Sequence, residues 1–253
     1  MNRIALITGA TAGFGKAIAE IFAKNNYNLI ITGRRAERLF DIKHDLESLY
    51  SVNVHTLAFD VRNLDEVKSN LEGLASEWKA VDVLINNAGL ASGLNHIQDG
   101  DIEDWDKMID TNVKGLLYVS KSVIPWMVKR KIGHIINIGS TAGKEVYENG
   151  NVYCASKHAV DAITKGMRID LLGTGIKVTQ IAPGAAETEF SIVRFHGDEA
   201  KAKAAYKGYE PMNASDIAEQ VYYVTTLPKN VCINDMVITS LSQANSFYIN
   251  RQN

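Results

Sequence analysis

The sequence predicts one α/β domain, residues 1–253, in which about seven parallel strands form a sheet with helices on both faces. Short runs rich in Ile and Val alternate with longer amphipathic stretches, an alternation typical of repeated βα units. The short runs are almost continuously apolar, which indicates strands buried on both faces of a parallel sheet. With 253 residues, 46% of them hydrophobic, the chain fits one large domain better than two small ones.

The predicted elements follow in order from the amino terminus. The Ile- and Val-rich runs predict strands at 4–8, 29–33, 54–58, 83–86, 134–138, 177–182 and 236–239. The amphipathic stretches predict helices at 15–25, 36–50, 64–77, 102–131, 151–172 and 214–226, the fourth of them broken near Asn112. A charged, alanine-rich insertion at about 185–212 interrupts the pattern. Because a long segment inside a compact domain is usually a lid or a binding loop, we expect this insertion to cap the substrate.

Composition narrows the classes of function and location. A formal net charge of -2 gives no basic surface for nucleic acid, and no apolar run is long enough to span a membrane. Cys154 and Cys232 lack the CxxC spacing, and no signal-peptide pattern opens the chain, so a reduced, cytoplasmic protein is expected. His55, His134 and His158 have no partner at metal-ligand spacing, and no metal site is expected.

The turn after the first predicted strand is rich in glycine. Gly9, Thr11, Gly13, Phe14 and Gly15 lie within seven residues, where a helix begins. Glycines allow positive φ and close backbone approach, and a helix amino terminus offers free N–H groups to a pyrophosphate. The turn therefore predicts a dinucleotide site, with a plain strand-to-helix turn as the alternative.

The end of the second strand indicates which dinucleotide binds. An NAD site would place a carboxylate there for the ribose 2′-hydroxyl, whereas this chain has Gly33 followed by Arg34 and Arg35. Guanidinium groups bind a 2′-phosphate through charge-assisted hydrogen bonds, so NADP(H) is predicted as the cofactor. The alternative is that both arginines are solvated loop charges, which is how Arg38 is interpreted.

Two further strand ends carry candidate cofactor residues. Asp60 and Val61 follow the third strand, and Asn86, Ala88 and Gly89 follow the fourth. Ligands of open α/β sheets bind at the carboxyl ends of strands, so Asp60 is a candidate for the adenine amino group. Asn86 and Gly89 are candidates for the ribose. Ordinary turn and cap roles are the alternatives for these residues.

Three residues suggest proton-transfer chemistry. Tyr153 and Lys157 are four residues apart in a predicted helix, and Ser140 precedes Tyr153 by thirteen positions. Positions i and i+4 share one helix face, so we expect Lys157 to lower the pKa of the Tyr153 phenol. Tyr153 would then exchange a proton with the substrate while Ser140 holds the substrate oxygen. A serine after a strand is otherwise a common turn or cap residue.

These motifs together resemble the short-chain dehydrogenase/reductase family. The matching positions, in order, are the glycine turn Thr8 to Gly15, Asn86 to Gly89, Asn112, Ser140, Tyr153 with Lys157, and Pro183-Gly184. The resemblance implies a single-domain Rossmann fold and a dehydrogenase that acts on CH–OH groups.

The resemblance also assigns roles that the residues alone leave open. It implies that Asn112 breaks a helix and holds a water that links Lys157 to solvent; a surface cap is the alternative. Pro183, Gly184 and Thr188 would lie along the nicotinamide, with Thr188 on its carboxamide. The alternative is that Thr188 caps the following helix.

Several stretches are most similar to NADP-dependent 3-hydroxy acid (serine or allo-threonine) dehydrogenases and to sulfoacetaldehyde and malonic semialdehyde reductases. The stretches are 9–15, 137–143, 187–195 and 226–228. This similarity implies a small acidic substrate and a homotetramer, for which Phe247 and Tyr248 provide apolar surface near the carboxyl terminus. A reductase of neutral carbonyl compounds and a non-catalytic NADP sensor are the alternatives.

Two cations are candidates for binding the acidic group of the substrate. Arg194 lies between apolar residues in the segment after the nicotinamide motif, and a guanidinium binds a carboxylate or sulfonate bidentately. Lys144 is the competing anchor, and Tyr147 lies in the same predicted substrate loop. The alternative for Arg194 is a structural ion pair with Glu189.

Overall fold

The computed structural model describes residues 2–252. Its strands are β1 (Ile4–Ile7), β2 (Asn28–Gly33), β3 (Val54–Ala58), β4 (Val81–Asn86), β5 (Gly133–Ile138), β6 (Ile176–Pro183) and β7 (Asp235–Ile238). They form one parallel sheet in the order β3-β2-β1-β4-β5-β6-β7. The strand order reverses between β1 and β4, and the crevice at that reversal is where open α/β sheets bind ligands.

The helices are α1 (Gly13–Lys24), α2 (Ala36–Leu49), α3 (Leu64–Glu72), α4 (Ile102–Ile109), α5 (Leu116–Arg130), α6 (Asn151–Asp170), α7 (Glu189–Arg194), α8 (Glu199–Ala204) and α9 (Ala214–Thr226). Successive strand residues point to opposite faces, so Ile7 packs in one apolar layer with Phe22, while Leu6 packs in the other with Val67. The predicted single-domain α/β fold is confirmed.

The predicted helix 102–131 is broken where the sequence suggested. A wider, π-helical segment, Asp110–Gly115, separates α4 from α5. Two contacts explain its position: the buried Asn112 side chain hydrogen-bonds outside its own helix, and Gly115 lies where a Cβ atom would be 2.7 Å from Val61 Cγ2. The break thus places Asn112 beside the carboxyl end of β4.

The insertion between β6 and α9 has regular structure of its own. It contains the short helices α7 and α8, capped at their amino ends by Thr188 and Asp198. A single parallel bridge between Ala186 and Met212 closes its base. The segment therefore lies over the carboxyl ends of the strands as a unit with a defined start and end, and we refer to residues 185–212 as the cap segment.

Candidate active site

A cavity of about 810 Å³ opens at the carboxyl ends of the strands. The glycine turn and the ends of β2 to β6 line its floor, and the cap segment lines its other side. Such a position and size are typical of a cofactor and a small substrate bound side by side.

The glycine turn shapes the floor of this cavity. Gly9 and Gly13 have φ values of +68° and +51°, a conformation that L side chains rarely adopt. Gly9, Thr11, Gly13 and Phe14 line the cavity, and α1 begins at Gly13. Gly15 does not line it, because a Cβ there would lie 2.3 Å from the Gly9 carbonyl oxygen. Gly15 is therefore a packing glycine, which corrects the prediction that it binds the cofactor directly.

The arginines after β2 differ in what they bind. Arg34 and Arg35 both line the cavity. Arg35 donates to Thr11 Oγ1 at 2.7 and 3.1 Å and to Glu189 at 3.1 Å, whereas no described residue accepts a hydrogen bond from the Arg34 side chain. Arg38 also donates to Glu189, at 2.8 Å, so it is more than the solvated charge that the sequence suggested. These cations hold α7 of the cap segment against the glycine turn.

Asp60 and Val61 lie at the cavity wall after β3. The Asp60 carboxylate accepts from the Arg62 guanidinium at 2.6 and 2.9 Å. Burial raises the pKa of Asp60, but the hydrogen bonds and charge of Arg62 outweigh burial and leave the pKa below its usual value. Asp60 is thus ionised and oriented as an acceptor at the cavity edge.

The two asparagines at the end of β4, Asn86 and Asn87, have different roles. The buried Asn86 side chain donates to Ser120 and to Asn137 on the neighbouring strand, both at 2.9 Å, and does not line the cavity. The prediction that Asn86 contacts the ribose is therefore wrong, because its side chain is buried between the sheet and α5, away from the cavity. Asn87, one residue later, lines the cavity and donates to the Thr8 and Gly9 carbonyls. Ala88 and Gly89 also line it.

Ser140, Tyr153 and Lys157 converge on the cavity, although they come from the end of β5 and from α6. The Ser140 hydroxyl donates to Pro183 O at 3.3 Å and accepts from Ala142 N at 3.1 Å. The Lys157 ammonium donates to Ile138 O at 2.9 Å and lies 6.0 Å from the centre of the Tyr153 ring. Strand end and helix face together produce the arrangement that the spacing predicted.

The pKa values in this triad are dominated by burial. Burial lowers the pKa of Lys157 to about 8. Burial also raises the pKa of Tyr153. Two neighbours lower this pKa: the Arg194 charge has the larger effect, and the hydrogen bond with the Ser140 hydroxyl has the smaller one. In the protein alone, desolvation of the phenolate is the larger effect on the Tyr153 pKa, and its lowering by Lys157 stays a prediction for the complex with the oxidised cofactor.

Asn112 is buried next to the triad rather than on the surface. Its side-chain oxygen accepts from Leu90 N at 2.8 Å, and its amide donates to Leu90 O at 2.8 Å and to Ser156 Oγ at 2.9 Å. These bonds fix the backbone after β4 against α6, which rules out the surface-cap alternative.

Arg194 extends from α7 into a box of aromatic rings. Its guanidinium carbon lies 5.0 Å from the Tyr153 ring centre, 5.1 Å from that of Phe190 and 6.0 Å from that of Tyr147. One terminal nitrogen donates to the Tyr147 hydroxyl at 2.9 Å, and the buried Nε has no hydrogen-bond partner among the described residues. The alternative pairing with Glu189 is wrong, because Glu189 binds Arg35 and Arg38 instead.

Two other predicted residues are held elsewhere. The Lys144 ammonium binds the carboxylates of Asp161 and Asp235 and does not line the cavity, so the prediction that it anchors the substrate is wrong. Thr188 accepts from Phe190 N at 3.2 Å as the cap of α7, yet it also lines the cavity beside Pro183 and Gly184. Because Thr188 lines the cavity as well as capping α7, its contact with the nicotinamide carboxamide stays a prediction.

Comparison with known proteins agrees with this geometry. The profile of the family described as short chain dehydrogenase matches residues 3–198. The chain belongs to the short-chain dehydrogenase/reductase family. It is 47% identical over 242 residues to an NADP-dependent 3-hydroxy acid dehydrogenase of Salmonella typhi, covering 95% of this chain and 96% of the relative. Sulfoacetaldehyde reductase 2 of Chromohalobacter salexigens is 44% identical over 253 residues, 99% of this chain and 100% of the relative.

A solved structure of the same family has a similar fold. The closed form of a serine dehydrogenase complexed with NADP+ superposes with a TM-score of 0.91 at 45% identity, covering 96% of this chain and 97% of that one. The prediction that this chain is an oxidoreductase of the short-chain dehydrogenase/reductase family is confirmed.

The substrate end of this short-chain dehydrogenase includes residues that sequence reasoning missed. Phe190 packs edge-on against Tyr153 with ring centres 5.6 Å apart. Other unpredicted lining residues come from distant segments: Leu90, Leu94, Tyr206, Gln243, Ser246 and Arg251. Asn87 is a further lining residue; residue alternation in an extended segment indicates that only one of Asn86 and Asn87 can face the cavity, but not which one.

Residues 2–252 of the dehydrogenase contain neither a metal-binding cluster nor a membrane-spanning helix. No group of three or more His, Cys, Asp or Glu side chains there is arranged to hold a metal ion. No helix in the same range combines the length and the apolar character needed to cross a membrane.

Proposed function

We propose that this enzyme is an NADP(H)-dependent oxidoreductase that interconverts a short acidic aldehyde or 3-oxo acid and the corresponding hydroxy acid or hydroxy-sulfonate. The observation that carries the substrate class is Arg194, a cation stacked on Tyr153 with a buried nitrogen that has no partner in the described chain. A buried donor without a partner is costly, so an anionic ligand that accepts from it is favoured.

The anion would be held by Arg194 with help from Tyr147. Within the described residues no carboxylate lies within ion-pair distance of Arg194, so its charge is available to a ligand. A carboxylate or sulfonate accepting from the guanidinium places the rest of a short molecule towards Tyr153, because the two side chains are in contact. The apolar side chains of Leu90 and Phe190 line the cavity and pack in the same apolar cluster as Tyr153.

NADPH, when bound, supplies a hydride to the carbonyl carbon of the substrate. Tyr153 then gives the proton of its hydroxyl to the carbonyl oxygen, and takes it back when the reaction runs towards oxidation. Ser140 holds that oxygen in place. Lys157 would bind the nicotinamide ribose and add its charge to the stabilisation of the phenolate, and Asn112 would hold the water through which protons are exchanged with solvent.

The cofactor residues fit the two charged parts of NADP(H). The backbone of Gly9 to Gly13 and the amino terminus of α1 fit the pyrophosphate, since both offer free N–H groups and a positive dipole end. Arg34 and Arg35 fit the 2′-phosphate at the end of β2. Asp60 and Val61 fit the adenine, Ala88 and Gly89 fit the ribose, and Pro183, Gly184 and Thr188 fit the nicotinamide.

The relatives support both the cofactor and the substrate class. Two relatives similar in sequence over nearly the whole chain are an NADP-dependent 3-hydroxy acid dehydrogenase and a sulfoacetaldehyde reductase, whose named substrates share an anionic group near the reacting carbon. A neutral-carbonyl reductase would have no use for a cation in contact with Tyr153. A non-catalytic NADP sensor would have no use for the triad of Ser140, Tyr153 and Lys157.

The test of the substrate class compares an acidic aldehyde with a neutral aldehyde of the same size. Arg194→Ala should raise KM for the acidic aldehyde by at least about 10-fold, the value of one charge-assisted hydrogen bond, and leave the neutral one nearly unchanged. Lys203→Ala is the matched control, because Lys203 is an exposed cation of the same cap segment outside the cavity. Equal KM changes for both aldehydes in Arg194→Ala would exclude an anion-selecting pocket.

Assembly and location follow as part of the same proposal. The enzyme would be a homotetramer in the cytoplasm. The tetramer would cover apolar side chains that are exposed in the single chain, among them Leu172, Phe247 and Tyr248, whose exposed fractions are 84%, 52% and 72%. Cys154 and Cys232 are both unpaired thiols, as suits a reducing compartment. Light scattering that finds a monomer at working concentration would refute the assembly.

A further inference from the structure

We propose that Arg194 also controls where the proton sits on Tyr153: the bare guanidinium stabilises the phenolate, and an acidic substrate bound to Arg194 cancels that effect and keeps the phenol protonated. The coupling to substrate rests on the proposed function, whereas the contact between the two side chains does not.

The geometry carries the first half of this proposal. The guanidinium carbon lies 5.0 Å from the centre of the Tyr153 ring, within the distance at which a cation and an aromatic face attract each other. Tyr153 is buried, so the field of a nearby charge is only weakly screened by water. Removing the phenolic proton converts a cation–ring contact into a contact between opposite charges, which a guanidinium favours more strongly.

The other groups around Tyr153 do not duplicate this effect. The titratable and polar groups that face it are the Lys157 ammonium and Cys154 thiol on its own helix, the Ser140 hydroxyl after β5, the Tyr147 phenol and Arg194 on α7. Lys157 is 6.0 Å from the ring centre, donates to Ile138 O, and burial lowers its pKa to about 8. A guanidinium keeps its charge throughout the working pH range. Arg194 is thus the permanent cation at this tyrosine.

The second half follows from charge balance. A carboxylate or sulfonate paired with Arg194 replaces a net positive neighbour of Tyr153 with a nearly neutral pair. The phenolate then loses stabilisation, and the proton stays on the Tyr153 oxygen, the form that donates to a carbonyl oxygen in reduction. An acidic carbonyl compound would by this means hold the proton on its general acid up to a higher pH than a neutral one would.

The first test reads the phenolate directly, without substrate or cofactor. Ultraviolet difference titration of each variant against the same protein carrying Tyr153→Phe isolates the Tyr153 signal. Arg194→Met should raise the apparent pKa of Tyr153 by about 1 unit or more, the lower end for loss of an adjacent opposite charge. Arg194→Lys should restore most of the shift, and Lys203→Met, an equal loss of charge outside the cavity, should leave the titration where it is in the wild type.

The second test reads the coupling through pH profiles of alcohol oxidation, in which Tyr153 must be deprotonated. With a hydroxy acid, the wild-type pKa from kcat should lie above that from kcat/KM, since kcat reports the substrate complex and kcat/KM the free enzyme. In Arg194→Met the two values should coincide.

Each failure has a distinct meaning. An unchanged Tyr153 titration in Arg194→Met and Arg194→Lys would overturn the inference, even if preference for acidic substrates were lost as the proposed function requires. An equal shift in Lys203→Met would overturn it too, since a general charge effect would then suffice. A shift confined to the Arg194 variants, in an enzyme without preference for acids, would support the phenolate contact and refute the substrate class.

Discussion

Replacing Arg34 by Ala removes a cation from the cofactor end of the cavity with little other disturbance. Its side chain is exposed and makes no hydrogen bond to a described residue, unlike Arg35, which binds both Thr11 and Glu189. The change therefore tests 2′-phosphate binding without loosening the contact between the glycine turn and α7. Arg35→Ala would alter both at once.

The expected loss follows from the kind of bond removed. A hydrogen bond to a charged group contributes about 1.5–3 kcal/mol, or roughly 10- to 150-fold in Kd. Because Arg34 is exposed and water screens its charge, the lower part of that range, roughly 10- to 30-fold, is expected for NADPH. NADH has no 2′-phosphate, so its Kd should change by less than about 2-fold.

Fluorescence titration of NADPH and of NADH, with wild type and variant at two salt concentrations, measures these constants. The NADPH affinity of the variant should also depend less on salt, since one ionic contact is missing. Equal losses for the two cofactors would mean that Arg34 does not bind the 2′-phosphate. An unchanged Kd for NADPH would refute the reasoning from the arginines after β2.

Three further predictions follow from the geometry. Gly15→Ala should destabilise the fold by several kcal/mol, since its Cβ would lie 2.3 Å from the Gly9 carbonyl oxygen; thermal unfolding checks this, and a wild-type Tm would contradict it. Burial lowers the pKa of His134 to about 4, so the unfolded chain binds a proton there first; stability should fall by about 3 kcal/mol as pH drops from about 6.5 to 4, and denaturant titrations should show a smaller fall in His134→Leu. Lys144→Met should cost about 1–3 kcal/mol by leaving Asp161 short of a partner, while the ratio of KM values for acidic and neutral aldehydes stays as in the wild type; a changed ratio would return Lys144 to the substrate site.

The fold was predictable because it depends on patterns that are local in the chain. Alternating apolar runs and amphipathic stretches fix the seven strands and the helices between them, and Asn112 marked the break between α4 and α5. The triad was predictable for a similar reason, since the spacing of Tyr153 and Lys157 on one helix brings both to the end of β5. The cofactor prediction agrees with relatives that are NADP-dependent.

The ion pairs around the candidate site could not be predicted, because they join distant parts of the chain. Glu189 lies 151 and 154 positions from Arg38 and Arg35, so no local pattern could assign its carboxylate to them rather than to Arg194. Lys144 was in a plausible place until Asp161 and Asp235 proved to enclose its ammonium.

Two other features of the site were not predictable, for local physical reasons. Asn86 and Asn87 were indistinguishable because side-chain direction reverses at each residue of an extended segment. The effect of burial on the Tyr153 pKa could not be predicted either, because a sequence does not quantify how far a side chain is desolvated.

The central claim is that Tyr153 transfers the proton in a pocket built for an acidic carbonyl compound. The most direct measurement is single-turnover reduction of an acidic aldehyde by Tyr153→Phe, with NADPH binding measured in the same samples. Kd for NADPH should stay within about 2-fold of the wild type, while the rate of NADPH oxidation falls by about 10²- to 10⁴-fold, the contribution of general acid–base catalysis. A variant that binds NADPH normally and still turns over at close to the wild-type rate would contradict the account.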